Sequence, residues 1–270
     1  MQLNELIDII EQTALPFLAA PWDHSGIQVA ACNDQVRHMA VMLDPTLDNI
    51  QLALDRGADF ILAHHPLSLR PRFPDTTDNY HRILSLLFKN DVCLYSAHTS
   101  LDSNPNGPAA WLADSFNLTD RAVLEVTGVL PGEAGLPAGF GFVGNLPNLM
   151  AYTEFCAKLS LILEINAWRC CGPTPSLVRR IACCPGSGAD AIEVAEKAGA
   201  DVYITGDVKY HAALDAQIRV LDVGHFQLEE MMMHLFAEQL GRQSPEIMVS
   251  FITGTDPLFF WPVLNTASVF

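Results

Sequence analysis

Basic residues are scarce in this chain of 270: Lys and Arg total 15 against 31 Asp and Glu, a formal net charge of −16. A surface that acidic repels phosphodiester backbones and anionic headgroups, which excludes general nucleic-acid and membrane-surface binding and leaves metal-mediated contact as a route to a nucleotide. No uncharged stretch reads as a membrane span, because the longest, 134–153, is broken by Gly135, Pro137, Gly139, Gly141, Gly144 and Pro147. No basic segment precedes an apolar run at the start. Glu5, Asp8 and Glu11 instead surround Ile9 and Ile10 as on an amphipathic helix, so no secretory signal is expected. The seven cysteines include no C-x-x-C pair, and their odd number suits free thiols in a reducing cytosol, so a soluble cytoplasmic protein is expected. The turn Pro185-Gly186-Ser187-Gly188 carries neither a P-loop lysine nor a full G-x-G-x-x-G. What is abundant is apolar: half the residues are hydrophobic and 17% charged, enough for one large or two modest domains with a real core.

Strand and helix patterns alternate. Apolar runs at 38–43, 59–63, 92–97, 178–183, 202–205, 220–223 and 248–253 read as strands. Helical periodicity covers 3–13, 46–56, 80–90, 108–116, 153–163, 189–198, 211–216 and 227–240, with Gly57 and Gly199 as stop signals. Glycine and proline dominate 124–147, where a boundary and a hairpin-like strand around 139–144 are expected. The expected fold is therefore α/β: two related α/β domains, residues 1–125 and 126–270, with mostly parallel or mixed sheets flanked by helices and the functional site in the cleft between them.

Three strand ends are followed by residues able to bind metals. FILAHHPL brings His64 and His65 before Pro66, LYSAHTSLD brings His98 and Asp102, and LDVGHFQLEE brings His225 and Glu229. The last two lie four residues apart at a helix start, on one face, as two ligands of one site would. Ligands in open α/β sheets gather outside the carboxyl ends of strands, so the three segments converge naturally. Five donors, His64, His65, Asp102, His225 and Glu229, with His98 nearby, exceed one zinc site and suit two metals about 3.5–4 Å apart. Taken singly, a histidine after a strand is ordinarily a surface residue, and the i, i+4 His–Glu pair a helix salt bridge. The spacing alone leaves both readings open.

PWDHSGIQVA, ILAHHPL, SAHTSLD, ITGDVKYHAALDAQ and DVGHFQLEE, spread over residues 21–230, together resemble the family labelled GTP cyclohydrolase 1 type 2, also called Ngg-interacting-factor-three-like. The chain is similar to short members, which lack an inserted middle domain. The resemblance implies a dinuclear site of divalent ions (zinc, iron or manganese) held by His64, His65, Asp102, His225 and Glu229, with Glu229 bridging and His98 lining the pocket. It further implies a toroidal homohexamer and a metal-dependent hydrolase acting on a nucleotide or related small molecule, in which Glu229 or Asp102 orients water and His98 shuttles protons. The alternative is a non-enzymatic metal-binding assembly, a carrier or regulatory partner. Ser100, the turn 103–107 and His24 depart from the family pattern without touching a ligand.

Other motifs invite plainer readings. Cys170-Cys171 and Cys183-Cys184 are vicinal pairs, unlike the C-x₂-C of zinc ribbons, and read as packed thiols. Pro185-Gly186-Ser187-Gly188 is a strand-to-helix turn that either borders the cleft or, less fittingly, cradles phosphate. Asp207 suits a helix cap, while Lys209 or His211 could meet an anionic substrate. Phe259, Phe260 and Trp261 read as core or subunit contact.

Overall fold

The computed structural model describes residues 1–132 and 135–259. Two sheets carry the chain. Sheet one is built from β1 (Gly26–Val29), β2 (His38–Met42), β3 (Phe60–Ala63), β4 (Cys93–Ser96) and β11 (Met248–Phe251), in the order β1-β4-β3-β2-β11. Sheet two takes β5 (Thr119–Val129), β6 (Pro137–Ala151), β7 (Arg169–Cys171), β8 (Leu177–Cys183), β9 (Val202–Thr205) and β10 (Arg219–Asp222), in the order β5-β6-β8-β9-β10-β7. The helices are α1 (Leu3–Glu11), α2 (Leu47–Asp55), α3 (Asn79–Asn90), α4 (Thr99–Asp102), α5 (Trp111–Ser115), α6 (Tyr152–Leu163), α7 (Ile192–Lys197), α8 (Tyr210–Asp215) and α9 (His225–Gln243). None is long and apolar enough to cross a membrane.

The mixed α/β architecture with helix-flanked sheets matches the expectation. β2, β3, β4 and β11 run parallel, as do β8, β9 and β10, while β1, β5, β6 and β7 pair antiparallel. The Gly/Pro-rich stretch is not loop: β5 and β6 form a long hairpin whose strands extend well beyond 139–144. Its glycines obscure the pattern because Gly139 and Gly141 adopt positive φ against neighbouring backbone. Sheet membership departs from chain order at the end, where β11 lies beside β2 in sheet one.

The uniformly apolar strands reflect burial on both faces. On β2 and β3, Met39, Val41, Phe60 and Leu62 face a core shared with sheet two, whereas Ala40, Met42, Ile61 and Ala63 face α2 and α3. On β8 and β9, Ile181, Cys183, Val202 and Ile204 face the same shared core, while Ala182 and Tyr203 face α7. Between the sheets, α9 buries Met232, Met233, Phe236 and Leu240. It thus links the end of β10 in sheet two to β11 in sheet one, and its first turn lies where the carboxyl ends of both parallel strand sets meet.

Candidate metal centre

Every residue of the centre follows a strand end or opens a helix. After β3, the His64 and His65 N–H groups bond Met42 and Leu43 carbonyls (3.1 and 3.0 Å), and Pro66, lacking an N–H, ends the ladder. After β4 the chain turns directly into α4, so Asp102 sits on a helical turn rather than in a loop. Asp23 holds that turn by accepting the Thr99 N–H and hydroxyl. After β10, α9 begins at His225, and one turn later the buried Glu229 brings Oε2 to 2.7 Å from His225 Nε2.

These side chains, separated by up to 165 residues of sequence from His64 to Glu229, form one cluster. Glu229 Oε2 is 3.1 Å from His65 Nε2 and 3.8 Å from His64 Nε2, and Asp102 Oδ1 is 3.6 Å from His64 Nε2. Two groups of donor atoms, His64–Asp102–Glu229 and His65–His225–Glu229, each lie within 4.8 Å and share Glu229. A third, His64–His65–His98, brings His98 within the same span.

The orientation of each imidazole is set from behind. His64 Nδ1 bonds the Ala97 carbonyl (2.8 Å), His65 Nδ1 Asp44 (2.7 Å), His98 Nδ1 Asp23 (2.9 Å) and His225 Nδ1 Asp207 (2.8 Å). All four partners are acceptors, so Nδ1 carries the proton and Nε2 turns a lone pair inward, the arrangement of histidines that serve metals. The Nε2 atoms of His65 and His225 lie 3.3 Å apart, facing each other across the centre. His64 Nε2, Asp102 Oδ1 and Glu229 Oε2 are buried without a hydrogen bond. Orphaned acceptors of this kind are costly unless a cation completes them, so the donor set fits a metal.

The electrostatics point the same way. Burial pulls the pKa of His65 down, but Asp44 and Glu229 outweigh it and raise it to about 10. For His225 the same contest, with Glu229 and Asp207, ends at about 9, and His64 is likewise raised against its burial by Asp102 and Glu229. Glu229 is held well below the ordinary carboxylate range despite burial, because His64, His225 and His65 surround it. Asp102 is raised, chiefly by burial. The carboxylates of the cluster favour positive charge at its centre.

Sequence reasoning missed the supporting carboxylates. Asp23 lay within the motif PWDHSGIQVA without a role of its own, and Asp44, just after β2, lay in no motif. Asp207 is no cap: α8 starts at Tyr210 with Lys209 as its cap, and Asp207, at φ 58°, turns back to His225. The turn Pro185–Gly188 borders the cleft instead of cradling phosphate, since a Cβ on Gly186 would sit 2.2 Å from Glu229 Oε1. His65, His225, Asp44 and Asp207 line a cavity of about 1190 Å³. Neither Lys209 nor His211 lines it. Phe259 does, and is exposed rather than core, while Phe260 and Trp261 lie outside the described residues. All seven cysteines are unpaired thiols.

Comparison with known proteins shows what the chain is similar to. A Clostridium perfringens (strain 13 / Type A) relative named "GTP cyclohydrolase 1 type 2 homolog" is 34% identical over 234 residues, covering 85% of this chain and 87% of its own. The solved structure titled "Reduced HcgD from Methanocaldococcus jannaschii" superposes with a TM-score of 0.80 at 27% identity, covering 94% and 98% of the two chains. A Bacillus cereus protein related to NIF3 shares the fold, with a TM-score of 0.86 at 24% identity and coverage of 97% and 99%. Residues 1–257 match the family described as Duf34/NIF3 (NGG1p interacting factor 3), and the chain belongs to that family.

Proposed function

We propose that the chain is a hydrolase dependent on two divalent cations, one held by His64, Asp102 and Glu229 and the other by His65, His225 and Glu229. The observation that carries this reading is the pair of donor groups sharing one buried carboxylate whose Oε2 has no hydrogen bond. Bound there, the cations supply Lewis acidity, lowering the pKa of water and polarising the attacked atom. Zinc, iron and manganese all suit imidazole and carboxylate donors.

The remaining work falls to the chain's own atoms. Glu229 and Asp102 orient the attacking water through their carboxylate oxygens. His98, whose Nδ1 is committed to Asp23, keeps Nε2 available to take up and return a proton. Ala97 O, Asp44 and Asp207 prevent the ligating rings from turning. A purely structural site is closed by protein ligands, whereas His65 and His225 border a cavity large enough for a small molecule, which favours catalysis over storage. The relatives' printed name, GTP cyclohydrolase 1 type 2 homolog, gives a nucleotide substrate for the proteins it is taken from, while the donor set here supports hydrolysis of a nucleotide or related small molecule. A homohexamer in the cytoplasm belongs to the same proposal and is checked by light scattering and fractionation.

The test is metal content of protein purified without added metal. About two ions per chain are expected, with most lost in Glu229→Ala. A metal-free parent, or a variant that keeps both ions, overturns the reading.

A further inference from the structure

We infer that the cleft beside the metal centre selects against phosphorylated compounds and takes a neutral or cationic molecule with a flat apolar part, such as a nucleobase or nucleoside, with Glu164 and Asp256 as the selecting residues. The inference rests on the hydrolase reading above and narrows its substrate.

The charge of the cleft wall carries it. Among the described residues that line the cavity, Arg169 is the only Lys or Arg, and its guanidinium is engaged by Asp222. Five carboxylates line the same space: Asp44, Glu164, Asp207, Asp222 and Asp256. Two divalent ions would be balanced by Asp102, Glu229, Asp44 and Asp207, and Arg169 is balanced by Asp222. Glu164 and Asp256 remain, with no cation against them in the cleft. Glu164 closes α6 in the left-handed conformation and is exposed, while Asp256 is partly buried and, among the described residues, accepts the Leu258 N–H (2.8 Å). Residues 133, 134 and 260–270 contain no Lys or Arg. A triphosphate extending from the metals along this wall would meet uncompensated carboxylates in a setting where each like-charge contact opposes binding.

The rest of the wall suits a planar, uncharged partner. Trp168 and Phe226 are partly buried and packed against the core, presenting fixed aromatic surface, and Asn166 and Gln227 offer amide donors and acceptors. The net charge of −16 adds to the exclusion of polyanions and concentrates cations near the opening.

The experiment follows removal of metal from the loaded protein by two chelators that differ in charge, anionic EDTA and neutral 1,10-phenanthroline, in the parent and in Glu164→Gln/Asp256→Asn. At low ionic strength the double substitution is expected to speed extraction by EDTA by about threefold or more, and added salt to speed the parent likewise, with phenanthroline rates unchanged. Equal response of the two chelators to the substitution overturns the inference, as does protection of the metal by GTP at lower concentration than by guanosine. Protein that holds no metal would instead remove the hydrolase reading beneath it, so the two failures are distinct. Unchanged metal content in the double variant establishes that its centre is intact.

Discussion

Four histidines meet in this centre, and each is aimed by an oxygen behind it. The energetic consequence is specific. A ring whose Nδ1 partner is removed regains rotation and loses the electron donation that strengthens Nε2 as a ligand. Asp44→Asn and Asp207→Asn are each expected to weaken metal affinity by about 10- to 100-fold, measured by competition with a coloured chelator, without loss of fold by circular dichroism. Affinity equal to the parent in both would show that Asp44 and Asp207 are bystanders. That these histidines and carboxylates would gather was expected from His-His-Pro, His-Thr-x-Leu-Asp and Gly-His-x-x-x-Glu together with the family resemblance they carry, and the donor groups do lie together. The part of Asp44 and Asp207 was not expected, since one aspartate after a strand has the same composition whether it caps a helix or steers an imidazole. Only the 2.7 and 2.8 Å contacts distinguish the two.

At the scale of elements, short turns decide how near the two halves of the centre come. Gly186 follows β8 at φ 69° with its missing side chain facing Glu229, and Gly206 after β9 leaves no room for a Cβ against the His225 N–H. Gly186→Ala must both strain a left-handed backbone, at a cost of about 1 kcal/mol, and push the Glu229 carboxylate aside. The expected outcome is a small drop in thermal midpoint together with a large loss of bound metal. A drop in midpoint with full metal content would mean that Glu229 has room to adjust. Strands and helices of strong period were readable in advance, β2, β3, β4, β9 and α9 among them. Of the β5–β6 hairpin only the part around 139–144 was readable, because close backbone packing at its glycines erases the alternation on which the full length of a strand is recognised. The short β1 and β7 escaped for a different reason: each is an edge strand of sheet one or two, held by a single neighbour.

For the molecule as a whole, burial of ionisable groups sets an alkaline limit. Burial pushes the Cys93 thiol from an ordinary 9 to about 11 and the Tyr152 hydroxyl from 10 to about 12. Between these values the unfolded chain has released protons that the folded chain still holds, so stability falls as pH rises from 9 towards 11. Thermal midpoints measured across that range are expected to decline, and Cys93→Ser should flatten part of the slope; a midpoint independent of pH would contradict the assignment. Core sharing has a second consequence at this scale. Because the inner faces of both sheets contribute to one apolar cluster with α9 between them, the relation of the two ligand-bearing halves is held by packing rather than by a linker.

The local order of residues was sufficient to determine the α/β class and the acidic character of the chain and to nominate candidate donors, since composition, periodicity and side-chain chemistry are properties of neighbours in the chain. Tertiary structure alone decided that β11 returns to sheet one, that Glu229 is common to two donor groups, and which carboxylates orient the rings. Each of these depends on segments far apart in sequence brought together by burial of a shared apolar core, and the free energy of that burial is insensitive to the local patterns from which a sequence is read.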